Sequence, residues 1–304
     1  MNLPARLRSL SGDVLAAPLL HEHTDWFAAE IARDPAANVF LQALLERSRT
    51  AEIASPAGRL VGCFREGRPV AAYWLGSTIV PLSGGPETNR VMAAILNHEG
   101  RRPSSFVGPA EQVLDLTSRL NWGAPRDRRP NQPLLSALAP PTVVPDPLVR
   151  QFSPYEAEVV FPASVAMYEE EVGYSPLEGG SAGYRNRVEG LIASGLSLGY
   201  TARTGPTGEP MPLWPNRMSD EQVVFKADIG IGSGTSVQVQ GVWVHPEYRG
   251  RGVASRAMAA TTALIRRRFA PIVTLYANSH NAPALRAYAK AGFVPVGTFA
   301  TVTY

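Results

Sequence analysis

The sequence holds a single cysteine, Cys63, in 304 residues. One thiol excludes an internal disulfide, so packing and hydrogen bonds must hold the fold, and a reducing cytoplasm is the expected compartment. Lysine is almost missing: among 29 basic residues only Lys226 and Lys290 are lysines. Arginine takes its place, and with abundant Ala, Gly and Pro this reads as the bias of a GC-rich genome. The arginine clusters at 101–102, 126–129 and 266–268 are short and read as solvated faces. A net charge of +3 adds no polyanion-binding stripe, so nucleic acid is not an expected partner. No apolar run reaches membrane-spanning length, which excludes a membrane partner of that kind. Arg6 and Arg8 are followed by Gly12 and Asp13, which break the apolar core a secretion signal would need. What remains is 45% hydrophobic and 18% charged, the balance of a soluble globular protein long enough for two domains.

The first half reads as mixed α/β. His21 to Arg47 carries helical spacing, interrupted at Asp34-Pro35. Arg59 to Pro81 alternates like two or three strands, with Gly67 at a hairpin. Helices over 87–98 and 110–120 flank a short strand at 104–107. Gly84-Gly85-Pro86 precedes a helix, where an anion could bind, and reads as an ordinary loop in preference to an anion site. Trp122 and the arginines after it read as packing against a linker. Ala139 to Pro147 is rich in proline, a stiff connector, and sets the expected domains at 1–142 and 143–304.

The second half opens with a capping box, Ser153-Pro154-Tyr155-Glu156, and a helix to Val172 that contains Pro162. A helix at 182–194 and strands at 196–203 and 222–231 follow. The stretch between those strands is long for a hairpin loop; Met211, Leu213 and Trp214 are apolar there, and a lid is one reading of it. A strand at 272–277, a helix at 282–291 and a strand at 293–302 close the chain.

The chemistry concentrates in Val237–Ala254, VQVQGVWVHPEYRGRGVA. The stretch up to Val244 alternates as a strand does, and Gly241 interrupts the alternation, which predicts a bulge or a close backbone approach. His245 and Pro246 end the strand, with His245 read as structural. Gly250 and Gly252 then lead into a helix, where unpaired N–H groups and the helix dipole favour an anion. Glycine removes the Cβ that would keep a ligand from the backbone, and Arg249 and Arg251 add charge. These grounds alone predict a diphosphate site and admit any nucleotide.

Two motifs narrow it. Arg249, Gly252 and Ala254 fill the fixed places of Q/R-x-x-G-x-G/A, and Asn281, Ala284, Tyr288, Gly292 and Phe293 fit N-x-x-A-x-x-x-Y-x-x-x-G-F. Together they resemble the GNAT superfamily of N-acetyltransferases. PAANVFLQ, the stretch 105–135, MYEEEVGYSP and VVFKADIG resemble an actinobacterial two-domain family, in which a GNAT domain follows a domain of unknown function. The resemblance implies an α/β (α+β) fold in two domains. The C-terminal one would hold a mixed, largely antiparallel sheet splayed at the coenzyme; the N-terminal one would be a degenerate GNAT-like fold lacking the glycine signature.

The resemblance also implies acetyl-CoA as co-substrate and an amine, on a small molecule or a protein, as acceptor. Pantetheine would pair with the backbone of Val242, Trp243 and Val244, and a backbone N–H there would polarise the thioester carbonyl. The N–H groups of Gly250, Arg251, Gly252, Val253, Ala254 and Ser255 would hold the pyrophosphate, and Asn281 the coenzyme arm. Tyr288 would protonate the departing thiolate. The strand glutamate of many relatives is replaced by Gln238 and Gln240, which cannot accept a proton, so Glu170 and Glu171 become the candidate bases. No metal is implied. The expected function is amine N-acetylation by direct attack on the thioester. The alternative is a catalytically silent acyl-CoA sensor.

Overall fold

The computed structural model describes residues 13–204, 210–211 and 221–304. Leu213, Trp214 and the question of a lid lie outside the described residues. By packing, the chain forms two compact units. The first comprises residues up to Leu135 with Tyr276–His280 and Pro295–Tyr304; the second comprises Ser136–Leu275 with Asn281–Val294.

The first unit begins with β1 (Val14–Pro18), α1 (Thr24–Ala32) and α2 (Val39–Ser48). The break expected at Asp34-Pro35 is present, and the Asp34 carboxylate accepts the Ala37 N–H at 2.9 Å. A two-residue β2 (Ala54–Ser55) precedes β3 (Gly58–Arg65), β4 (Arg68–Gly76) and β5 (Thr78–Leu82). Glu66 and Gly67, both with positive φ, make the hairpin turn between β3 and β4. α3 (Pro86–Glu99), β6 (Ser105–Pro109), α4 (Ala110–Ser118) and β7 (Asp127–Ala137) follow. β1, β3, β4, β5 and β6 are neighbours in that order, and only β5 and β6 run parallel.

Three of these strands were not expected from the sequence: β1, the two-residue β2 and β7. β7 carries Pro130 and Pro133, which normally argue against a strand. Tertiary bonds hold it: buried Gln132 donates to Asn278 Oδ1 at 3.0 Å and accepts from Thr301 Oγ1 at 2.7 Å. Trp122 does not pack on a linker. Its ring meets Phe106 and the C-terminal Tyr304, at centroid distances of 5.7 and 5.3 Å.

The second unit repeats the element order. β8 (Arg150–Gln151), α5 (Ala157–Val172), α6 (Ser181–Ala193), β9 (Ser197–Thr204), a short β10 (Pro210–Met211), β11 (Glu221–Gly232) and β12 (Ser236–Val244) come first. α7 (Val253–Arg268), β13 (Ile272–Tyr276) and α8 (Ala282–Lys290) complete it. The capping box forms as the sequence predicts, with the Ser153 N–H donating to Glu156 Oε2 at 2.7 Å. Pro162 is accommodated inside α5 without ending it. β9, β11 and β12 pair antiparallel, and β12 pairs with β13 in parallel. α5 packs on β11 and β12, burying Val160, Phe161, Val223 and Trp243 together, and α7 also packs on these strands. Among the described residues no helix is long and apolar enough to cross a membrane.

The chain ends in β14 (Phe293–Thr303). Its residues from Pro295 onward belong to the first unit, where Phe299–Thr303 pair antiparallel with β6. Ala300, Val302 and Tyr304 join the core around Phe106 and Tyr73. A single cut at 142/143 therefore leaves the first unit short of one strand.

A fragment ending at residue 142 exposes the face of Phe106 that β14 covers. Lost burial of about 1.5–3 kcal/mol for each large side chain should leave it partly unfolded by circular dichroism, whereas adding a peptide of residues 295–304 should restore structure. Cys63 is fully buried, and burial pushes its thiol up to about 12, so the reactive thiolate is suppressed at pH 8. A disulfide-exchange reagent should leave the native protein unlabelled at that pH and label it fully in denaturant.

Candidate coenzyme and acyl-transfer site

The site begins where two parallel strands part. β12 and β13 pair only at Ser236–Ile272, Val237–Val273 and Gln238–Thr274. β12 then continues to Val244 with no β13 partner in register, which leaves backbone groups at the parting available to a ligand. Beyond the parting lies the bulge that Gly241 predicts. Lys226 of β11 faces Trp243 and Asp228 faces Gln240, so Ala227 alone is opposed by both Gly241 and Val242. Gly241 has φ +59°, and a Cβ there would lie 2.9 Å from Asp228 Oδ2 and 3.2 Å from Met167 Cε. Glycine is thus required by both backbone and space.

After β12, His245 caps a short 3-10 turn, Pro246–Tyr248, and its Nδ1 accepts the Glu247 N–H at 3.4 Å. This is the structural role expected for it. Gly250 and Gly252 adopt φ +75° and +74°, and α7 starts at Val253 with Gly252 as its uncapped N-cap. A Cβ at Gly250 would meet nothing within 4 Å, so the backbone there is open to a bulky anion. The first N–H groups of α7, on Val253, Ala254 and Ser255, receive no side-chain cap; the Ser255 hydroxyl turns back onto Gly252 O at 2.9 Å. Together these features give a helix start with positive potential and no internal acceptor.

The corresponding turn of the first unit is closed. Gly84 N–H donates to Gln112 Oε1 at 2.8 Å and Gly85 N–H to Thr88 Oγ1 at 2.9 Å. Side chains have taken the donors that an anion would use, which matches the ordinary-loop reading of Gly84-Gly85-Pro86.

The arginines flanking the open turn differ. Arg251 is exposed, with its guanidinium 5.9 Å from the Tyr248 ring centroid. Arg249 is committed elsewhere. Its Nε donates to Val244 O at 2.9 Å, and its Nη2 lies 2.8 Å from both carboxylate oxygens of Glu170. Trp243 Nε1 also donates to Glu170, at 3.1 Å. Glu170 therefore ties the C-terminal turn of α5 to the end of β12. Its oxygens are occupied by three donor contacts, an arrangement that suits a brace better than a free base.

Glu171, next along α5, bears on Tyr288 instead. Tyr288 is buried, and desolvation, followed by the Glu171 charge, pushes its phenol well above the ordinary value. It is held protonated at neutral pH. The Tyr288 ring packs against Phe293 at 6.0 Å between centroids. Asn281 caps α8 by accepting the Ala284 N–H at 3.2 Å, and Gly292 follows the helix with φ +96°. A cavity of about 590 Å³ adjoins the start of α7, bounded by Arg251, Val253, Arg256, Tyr200 and Asp146. Its lining includes Arg251 and Val253 of the helix start and no residue of β12 or β13.

The sequence reading missed one cluster. Lys226, fully buried, donates to Asp228 Oδ2 at 2.6 Å and to Gly241 O at 3.3 Å, and Ser197 Oγ donates to Asp228 Oδ1 at 2.7 Å. Burial and then the Asp228 charge push the nearby Tyr184 phenol up to about 12. The available signal was a lysine and an aspartate two places apart in an apolar strand run, VVFKADIG, which puts both side chains on one sheet face.

The Glu170–Arg249 pair is half exposed. Glu170→Gln keeps an oxygen for Trp243 and removes the charge, so urea denaturation should show a stability loss of about 1 kcal/mol or less.

Comparison with known proteins bears on the family and the fold. Residues 219–293 match the model of the acetyltransferase (GNAT) family, and residues 58–160 match a domain of unknown function, DUF4081. No curated protein matches the sequence significantly. Solved structures similar to the chain include a GCN5-related N-acetyltransferase from Sphaerobacter thermophilus. It has a TM-score of 0.58 and 15% identity, over 97% of this chain and 96% of that one. A GNAT-family acetyltransferase from Colwellia psychrerythraea matches with TM-score 0.55 and 11% identity, over 96% and 99%. A tandem GNAT protein from the clavulanic acid biosynthesis pathway matches with TM-score 0.50 and 15% identity, over 95% and 98%. At these identities the structures establish the fold. The family models alone identify the domains: the chain carries a GNAT acetyltransferase domain and a DUF4081 domain.

Proposed function

We propose that the protein transfers an acetyl group from acetyl-CoA to an amine by direct attack on the thioester. The observation that carries this reading is the conjunction of two features in the second unit: the uncapped, glycine-opened start of α7 and the parting of β12 from β13. The first suits a pyrophosphate and the second an extended pantetheine arm that adds to a free strand edge. Gly250, Arg251, Gly252, Val253, Ala254 and Ser255 would hold the diphosphate, and the backbone of Val242, Trp243 and Val244 the arm. Asn281 caps α8 at the edge of the same region, and Arg249 acts as a brace and reserve of positive charge.

In the transfer itself the amine lone pair attacks the thioester carbon, the tetrahedral intermediate collapses, and the C–S bond breaks. The thiolate then takes a proton. Tyr288 is assigned that task as the phenol of the second motif: it carries its proton at neutral pH, and burial, which makes it a weaker acid, holds that proton until negative charge develops on sulfur. Glu171 is the carboxylate we assign to the ammonium proton, directly or through water, since its charge bears on the Tyr288 phenol. The first unit, with its glycine turn closed by side chains, takes no coenzyme in this reading.

Calorimetric titration with acetyl-CoA should give one site per chain, and absence of heat at millimolar coenzyme refutes the proposal. A CoA-release screen over an amine panel with mass detection of the product identifies the acceptor. On that acceptor, Tyr288→Phe should lower kcat by about 10²- to 10⁴-fold with little change in coenzyme affinity. Unchanged turnover removes Tyr288 from the mechanism. Coenzyme binding with no amine turned over favours an acyl-CoA sensor, the reading supported by the absence of a carboxylate on β12.

A further inference from the structure

Lys226 is one of two lysines in a chain that otherwise uses arginine, and its side chain is fully buried. A buried ammonium is costly unless paired and hydrogen-bonded, and this one has both kinds of partner. Asp228 Oδ2 lies 2.6 Å from Nζ, and Asp228 is itself held by the Ser197 hydroxyl. The remaining contact is the unusual one. Nζ donates at 3.3 Å to the carbonyl of Gly241, the residue that makes the bulge.

That carbonyl belongs to the Gly241–Val242 peptide. No cis peptide occurs in the described chain, so the Val242 N–H points away from the Gly241 oxygen and from the ammonium. A cation on the oxygen end of a peptide draws electron density from its nitrogen and makes the N–H a stronger donor. The bulge also frees this peptide from simple one-to-one pairing with β11. The place is closely packed: a Cβ at 241 would lie 2.9 Å from Asp228 Oδ2 and 3.2 Å from Met167 Cε, with Lys226 Nζ in ordinary contact at 3.4 Å.

We propose that the Lys226–Asp228 pair is a positioning device that fixes the Gly241–Val242 peptide and polarises its N–H toward the thioester carbonyl of bound acetyl-CoA. This rests on the acetyl-CoA reading given above and adds to it the buried cation behind the donor. Lys226 and Asp228 touch neither the coenzyme nor the acceptor; they act through the peptide. The ammonium lies behind a neutral peptide, so it strengthens the oxyanion-type donor while staying out of reach of the acyl group.

The test uses the full-length protein and acetyl-CoA carrying ¹³C at the thioester carbonyl. Calorimetry reads binding, and isotope-edited difference infrared reads the carbonyl stretch, which falls as the carbonyl is polarised. The Lys226→Met/Asp228→Asn double variant removes both charges and keeps an amide oxygen for Ser197, so no buried charge is stranded. Wild type should bind with a lowered carbonyl stretch. The double variant should bind with affinity changed by no more than about threefold and lose most of that lowering. On an identified acceptor its kcat should fall about tenfold or more with little change in the coenzyme KM. Lys226→Gln, which keeps a neutral donor in place, is the second variant should the first not fold by circular dichroism; it should lose part of the shift. A full shift in either folded variant, or a wild-type complex with no shift, overturns the proposal. Wild type that gives no heat with acetyl-CoA overturns the coenzyme reading instead, and the two failures are told apart by that titration.

Discussion

The second unit depends on one constraint: β12 cannot remain paired with β13. Three register pairs hold the two strands, and past Gln238 they part. Backbone groups released in this way must find partners or face a ligand. The features that follow in the chain manage that release. A glycine bulge turns the β12 backbone, a 3-10 turn ends the strand, and two glycines in left-handed conformation deliver the chain to an uncapped helix. Gaps of this kind would weaken an ordinary sheet, and here they are placed on consecutive residues around one opening.

What stabilises the opening lies on its flank. Glu170 joins Arg249, Val244 is tied through Arg249 Nε, and Trp243 is buried against α5 while donating to the same carboxylate. The Lys226–Asp228–Ser197 cluster does the corresponding work beneath the bulge. Fixed polar groups prepared before a ligand arrives need no reorganisation when charge develops, which is the physical benefit of such a scaffold for acyl transfer. The first unit has the same order of elements and a brief parallel pairing of β5 with β6, yet Thr88 and Gln112 close its glycine turn. A shared fold therefore does not carry a shared site: the site depends on whether the donors at a helix start are left open.

Much of this was legible in the sequence because its causes are local. Alternation up to Val244, the interruption at Gly241, the Ser153 capping box and the Asn281 cap each depend on a few neighbouring residues, and each forms where the pattern places it. The elements missed are those whose reason is distant. β7 contains two prolines and reads as a loop until Gln132 is seen between Asn278 and Thr301. Trp122 gives no local hint that its partners are Phe106 and Tyr304.

The sequence by itself determined the fold class, the glycine-opened helix start and the two motifs that resemble the acetyltransferase superfamily, because dihedral preference and periodicity act over a few residues. Only the tertiary structure decided that β14 completes the first unit, that Glu170 is engaged while Glu171 bears on Tyr288, and that Lys226 lies behind the Gly241 carbonyl. Those outcomes depend on which strands become neighbours and on what burial does to a charge. Neither is encoded in the spacing of any single stretch.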